Sequence, residues 1–223
     1  MISIKNFSKQ YKKKIIFDQV SCDFKNDRIS FLMGKNGSGK TTLIKCLMGM
    51  ETGIGEFLFD GQEINAEIRK DILILWDDCP FYTNLSGLQN LILFDNGQHK
   101  RTEICQTAEE FLSNEILKSR LKNYSYGQKK KLGLALIQIL RPKILIMDEI
   151  TNGLDYSTLK LLNKKLIEWK KDNIVILTGH HLEYYNNVID DLFILSDNKI
   201  NEYSGDFKSS GLSLEEIYEK QIY

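Results

Sequence analysis

Apolar residues fall along this chain in two rhythms. At the N-terminal end they alternate with polar ones, at Ile2, Ile4, Ile15, Phe17, Val20, Cys22 and Phe24. That period of two predicts short antiparallel strands with a turn near Lys12–Lys14. Uninterrupted apolar runs follow at Ile29–Met33, Ile72–Leu75, Ile144–Met147 and Ile174–Leu177, the composition of parallel strands buried on both faces. Leu192–Leu195 reads as a further strand. Helical spacing fills the gaps, over Thr41–Met50, Leu85–Phe94, Thr102–Arg120, Gln128–Leu140 and Tyr156–Lys171. Within Thr102–Arg120, the residues Ile104, Ala108, Phe111, Leu112 and Ile116 share one apolar face. Strands alternating with helices predict an α/β domain around a mostly parallel core sheet, with an N-terminal antiparallel β subdomain. From about residue 83 to 140 helices occur without strands. A short helical lobe is expected there, the core lobe being formed from about 1–82 and 141–223 of the same domain.

Composition narrows the function classes. A chain of 223 residues with 42% apolar and 27% charged positions is that of a soluble globular domain with a substantial core. Thirty basic side chains balance thirty acidic ones. No nucleic-acid surface built from bulk positive charge is expected, and no nucleic-acid partner. The start, Met1–Ser8, lacks the charged-then-apolar pattern of a secretory signal. The longest apolar stretch, Leu132–Leu140, falls well short of the ~20 residues that span a bilayer. A cytosolic location is the expectation. Cys22, Cys46, Cys79 and Cys105 are scattered and form no Cys-x-x-Cys pair, so reduced, buried thiols are expected rather than a metal site or disulfides.

The chemistry sits where apolar runs end. Gly34-Lys35-Asn36-Gly37-Ser38-Gly39-Lys40-Thr41 follows the run Ile29–Met33 and opens a helical segment, the context a phosphate-cradling loop requires. Its glycines let backbone N–H groups point at phosphate, Lys40 reaches the β- and γ-phosphates, and the Thr41 hydroxyl is a Mg²⁺ ligand. With Thr42 beside them, these residues form the expected ATP-binding loop. The second element is Ile144-Leu-Ile-Met-Asp148-Glu149, a core strand ending in two carboxylates. Ligands sit at such strand ends in open α/β sheets. Asp148 is the expected Mg²⁺ partner of Thr41, and Glu149 the base for the water that attacks the γ-phosphate.

Between these two elements stands Tyr124-Ser125-Tyr126-Gly127-Gln128, ahead of a basic run and a helix. It resembles the Leu-Ser-Gly-Gly-Gln signature of ATP-binding-cassette (ABC) proteins, and the other motifs occur in that family's order over essentially the whole chain. The resemblance implies a P-loop ABC ATPase fold with a helical signature subdomain. It implies that Ser125, Gly127 and Gln128 close on the γ-phosphate held by a second subunit. Asn152-Gly153-Leu154-Asp155 matches the family's loop after the catalytic glutamate, which crosses the dimer interface. His180 matches the switch histidine, with His181 as its competitor, and Tyr11 resembles the aromatic that stacks on adenine.

The chain departs from the family pattern at three points. Asp77, with Asp78 as alternative, stands where the family often has a glutamine that reaches Mg²⁺ and the attacking water. Tyr126 replaces the first signature glycine, and Ile150 the proline after the catalytic glutamate. None of these changes deletes the base, so an active ATPase is expected.

The resemblance thus implies an ATP- and Mg²⁺-dependent subunit of an ABC transporter, working as a homodimer or a heterodimer with a paralogue. It would lie on the inner face of the membrane through a separate transmembrane permease, with the helical lobe and the Asp77 loop as docking groove and Trp76, Phe81 and Tyr82 as contact candidates. The loop after Glu149, the signature run and the acidic Asp77 look like exporter-type bacterial systems for peptides, bacteriocin immunity or drug efflux. A soluble ABC ATPase acting on ribosomes or DNA is the alternative.

Overall fold

The computed structural model describes residues 1–203 and 210–222. A long hairpin comes first, β1 (Ile2–Tyr11) and β2 (Lys14–Phe24), turning through Lys12 at φ 52°. Then follow β3 (Ile29–Gly34), α1 (Lys40–Leu47), β4 (Ile54–Phe59), β5 (Gln62–Glu63) and β6 (Ile72–Leu75). The helical stretch consists of α2 (Gly87–Asp95), α3 (Arg101–Glu109), α4 (Asn114–Lys118) and α5 (Tyr126–Leu140). The chain returns through β7 (Ile144–Met147), α6 (Tyr156–Trp169), β8 (Ile174–Thr178), α7 (Leu182–Tyr185), β9 (Asp191–Ser196), β10 (Lys199–Glu202) and α8 (Leu214–Ile222).

These strands make two sheets. An antiparallel one has the order β2-β1-β4-β5, and a six-stranded one the order β10-β9-β3-β8-β7-β6, parallel except for the β9–β10 edge pair. The apolar runs are explained by the burial of both faces of the larger sheet. Phe31 and Met33 of β3, Leu145 and Met147 of β7, and Val175 and Leu177 of β8 face a cluster shared with the helical lobe. Their neighbours Leu32, Ile144, Ile146, Ile174 and Ile176 face the opposite way, into a cluster with the antiparallel sheet and α1. Period-two side-chain direction turns one sheet into the common wall of two cores.

One expectation needs correcting in detail. Thr102–Arg120 is not one helix: α3 ends at Glu109, and α4 begins afresh at Asn114. Ser113 breaks it, because its Oγ accepts the N–H of Ile116 (3.4 Å) and so caps a new helix. Phe111 and Leu112 stay buried across the break, which keeps the apolar face continuous. The strands β4, β5 and β10 were not legible as strands; β4 is mostly exposed or half-buried and carries Gly55 at φ 123°. All four cysteines are free thiols, Cys46 and Cys79 buried and Cys22 and Cys105 half-buried.

Candidate functional site

β3 lies between β9 and β8 and delivers Gly34 at its end. The loop beyond it turns through Gly37 at φ 78° and Gly39 at φ 110°, in the left-handed region that disfavours side chains. Gly39 is required twice over, since a Cβ there would stand 2.7 Å from Ile16 Cγ2 and Phe17 Cζ. The first residue of α1 is Lys40, buried, with Nζ donating to the carbonyls of Gly34 (2.6 Å) and Lys35 (3.2 Å). Burial lowers its pKa, against the pull of Glu149 and Asp148. Ser38 Oγ is buried without a protein partner, inside a loop of backbone donors at a helix start. An orphaned hydroxyl in that setting fits an oxyanion such as phosphate.

The strand β7 brings the carboxylates. Asp148 is tied to β6 by its N–H to the Leu75 carbonyl (2.9 Å) and receives the Thr178 hydroxyl on Oδ1. Burial raises its pKa while Thr178 opposes the rise. Glu149 adopts φ 54°, an uncommon conformation for a residue with a side chain, and both of its carboxylate oxygens have partners. Oε1 lies 3.0 Å from His180 Nε2, and Oε2 accepts from Asn152 Nδ2 at 2.9 Å. His181 instead sets Nδ1 3.1 Å from the Thr151 hydroxyl. Of the two histidines, His180 is the one beside Glu149.

Thr41, Asp77 and Asp148 line one cavity of about 480 Å³, together with Lys45, Trp76 and Asp78. A threonine hydroxyl and carboxylates are the hard oxygen donors that suit Mg²⁺. Among the described residues, no group of three or more His, Cys, Asp and Glu forms a ready-made metal cage. A metal here would therefore take its remaining ligands from phosphate and water. Asp77 is also engaged elsewhere. Its Oδ1 accepts from Lys130 Nζ (2.8 Å), from Asn152 Nδ2 (3.3 Å) and from the Tyr126 hydroxyl. Burial pushes its pKa up, but Lys130 and Tyr126 more than reverse that and hold it below the usual carboxylate range.

The Tyr11 ring is exposed at the end of β1, with Lys9 Nζ 4.7 Å from its centroid and its hydroxyl bonded to Glu51. Ser125 and Gln128 make a reciprocal cap on α5: Ser125 Oγ accepts from Gln128 N (3.2 Å), and Gln128 Oε1 from Ser125 N (2.9 Å). Gly127 lies under the loop after Glu149, where a Cβ would come 2.8 Å from the Gly153 carbonyl oxygen. Among the described residues, the side-chain hydrogen bonds of Ser125 and Gln128 stay within their own helix, and none reaches Gly34–Thr41.

Sequence reasoning missed Lys130 and Thr178. Lys130 is the middle of the basic run Lys129–Lys131, yet it is 0% exposed. Its signal was spacing: with Leu134 and Ile137 it continues the buried stripe of α5.

The family model described as "ABC transporter" matches residues 17–152. The lantibiotic transport ATP-binding protein SrtF of Streptococcus pyogenes is 31% identical over 229 residues, covering 100% of this chain and 97% of that protein. The bacitracin transport ATP-binding protein BcrA of Bacillus licheniformis is 29% identical over 91% of this chain and 69% of its own length. Among solved structures, one titled as the ATP-binding subunit of an ABC transporter superposes with a TM-score of 0.87 at 23% identity, covering 99% of this chain and 98% of that one. CbiO1 of Clostridium perfringens, part of the transporter complex cbiONQ, gives 0.80 at 22% identity over 98% and 93%.

Proposed function

Because this chain belongs to the ABC transporter family, we propose that it is the ATP-binding, ATP-hydrolysing subunit of a transporter whose membrane-spanning part is a separate chain. The observation that carries the catalytic reading is Glu149, held through both carboxylate oxygens by His180 and Asn152 at the end of β7, which β8 separates from the strand carrying the phosphate loop. A carboxylate fixed in that way is oriented to take a proton from water attacking the γ-phosphate. His180, with Nε2 3.0 Å from Oε1, sits where it can hold that carboxylate in its aim. Lys40, already surrounded by the loop carbonyls, supplies positive charge to the β- and γ-phosphates. Thr41 and Asp148 would hold Mg²⁺, which when bound neutralises phosphate charge. Tyr11, exposed at the rim, would take the adenine ring on its face.

The signature residues complete the site in trans. Ser125, Gly127 and Gln128 cap α5 away from their own phosphate loop, so a second copy or a paralogue must present them head to tail. Relatives named for lantibiotic and bacitracin transport support a peptide cargo, and with the acidic Asp77 they support export. Among the described residues, no helix is long and apolar enough to cross a membrane. The membrane partner would dock on an aromatic group of the helical lobe, where Phe81 and Tyr82 pack on Phe94 with centroids 5.8 and 6.2 Å apart and Tyr82 is exposed. Trp76 packs instead against the antiparallel-sheet core. Through this permease the chain would sit on the inner face of the membrane.

Mixing two crippled chains tests the shared site. Ser125→Arg blocks the signature and Lys40→Ala the phosphate loop, and each alone should release no phosphate from Mg-ATP. In their mixed dimer one composite site is intact, so hydrolysis should return to a substantial fraction of wild type. If the mixture stays as inactive as its components while the wild type is active, the trans arrangement is wrong.

A further inference from the structure

One charged group remains without a role in that scheme. Lys130 is 0% exposed, in the first half of α5, and long charged side chains are almost never so deeply buried without a specific partner. Its place is fixed by close packing. Gly133, three residues on, lies so near β6 that a Cβ would stand 2.8 Å from Leu75 Cδ2. The Leu75 side chain therefore seats in the notch that Gly133 leaves, tying the helix to the strand that precedes Asp77. From there the ammonium reaches two loops at once, donating to Asp77 Oδ1 (2.8 Å) and to the backbone carbonyl of Glu149 (2.8 Å). That carbonyl also accepts the Asn152 N–H (3.2 Å), which closes the turn carrying Asn152 back to the Glu149 side chain.

We propose that Lys130 is a positioning residue for hydrolysis: it braces the Glu149 turn against the Asp77 loop from within the signature helix, and Asp77 is a carboxylate because that ammonium needs a counter-charge. An amide at position 77 would leave a buried cation without an ionic partner, an arrangement that is strongly disfavoured. The Tyr126 hydroxyl completes the brace, since it too donates to Asp77. Two of the departures from the family pattern, Asp77 and Tyr126, thus belong to one assembly with Lys130. The proposal rests on Glu149 being the hydrolytic base.

Two neutral double variants separate positioning from stability. Asp77→Asn with Lys130→Met removes both charges and every donor at position 130. Asp77→Asn with Lys130→Gln removes both charges but keeps an N–H donor for the Glu149 carbonyl. At matched melting temperatures, the Met version should hydrolyse Mg-ATP at least about tenfold slower than wild type with KM nearly unchanged, because misplacement of a catalytic group by about 1 Å can cost 10²-fold. The Gln version carries the same change at position 77, so it should hydrolyse at least about tenfold faster than the Met version, and their ratio cancels any loss caused at Asp77 itself. In nucleotide-free protein, the Asn152 amide should exchange hydrogen faster in the Met version than in the Gln version. Tyr126→Phe, which alters an exposed side chain and threatens the fold least, should speed the same exchange without changing the melting temperature. Equal rates in the two double variants, or Asn152 exchange unchanged in all three, would overturn the proposal. A Glu149→Gln control keeps the two questions apart. If it is as active as wild type the base assignment fails, whereas the exchange measurement reports on the brace without turnover.

Discussion

Replacing Glu149 by glutamine changes one oxygen for an amide nitrogen and leaves the shape of the site alone. The native carboxylate accepts a hydrogen bond from Asn152 on Oε2 and sets Oε1 3.0 Å from His180 Nε2. Glutamine offers one acceptor and an NH₂, so it can keep the Asn152 bond only by facing His180 with a donor. A switch of the imidazole tautomer would then restore the pairing. The loss to folding is thus at most one exchanged hydrogen bond, about 0.5–1.5 kcal/mol and toward the low end at a half-buried site. The loss to catalysis is of another order. Removing a general base typically costs about 10²–10⁴ in rate, or about 3–5 kcal/mol of barrier. The variant should melt within a few degrees of wild type, bind a fluorescent ATP analogue with affinity within about threefold, and release phosphate at least about 100-fold more slowly at saturating Mg-ATP. A fall in kcat of less than about tenfold, or a collapse of nucleotide affinity in parallel, would refute Glu149 as the base.

Other consequences are as direct. Gly39→Ala places a side chain at φ 110° against Ile16 and Phe17, so strain and overpacking together should lower stability by about 2–6 kcal/mol in a urea titration. The buried Asp95 carboxylate pairs with His99 Nδ1 at 2.6 Å and accepts its N–H at 2.9 Å. Burial raises its pKa, but His99 pulls it down further, to a net value below the ordinary one. Its contribution is complete above the ordinary carboxylate pKa and is lost as pH falls through that value toward the depressed one, so Asp95→Asn should flatten the drop in urea midpoint between about pH 5 and about pH 2. EDTA should stop phosphate release and leave the melting temperature of the nucleotide-free chain unchanged, because the candidate metal donors are two or three oxygens on separate elements rather than a folded cage.

The legible part of this protein was the part under the simplest constraints. β3, β7 and β8 announced themselves because burial on both faces leaves no polar position to blur the run. The loop Gly34–Thr41 was equally plain, since φ 78° and 110° admit glycine and little else. The choice of His180 over His181 depended on its spacing to Asp190 and the strand at Leu192–Leu195, and the structure sets His180 against Glu149. β4 escaped because an exposed or half-buried strand that follows Gly53 and contains Gly55 looks like a loop. The break between α3 and α4 was hidden inside a continuous apolar face, although Ser113-Asn114 carried a capping signal. Lys130 was missed because its charge outweighed its position on the buried stripe of α5.

The order of strands in the larger sheet ranks the parts of the site by mobility. The phosphate loop hangs from β3 and the Asp148–Glu149 turn from β7, and each of these strands is hydrogen-bonded on both sides. Asp77 follows β6, the edge strand, which among the described residues pairs with β7 alone. Edge segments open at lower free energy than interior ones, so the stretch from Trp76 to Pro80 is the piece that shifts most readily while Lys40 and Glu149 stay in register. A tug on the helical lobe would be felt first there, at the margin of the sheet, and the catalytic carboxylate would receive it through the Lys130 ammonium and the Asn152 amide that tie the two loops together.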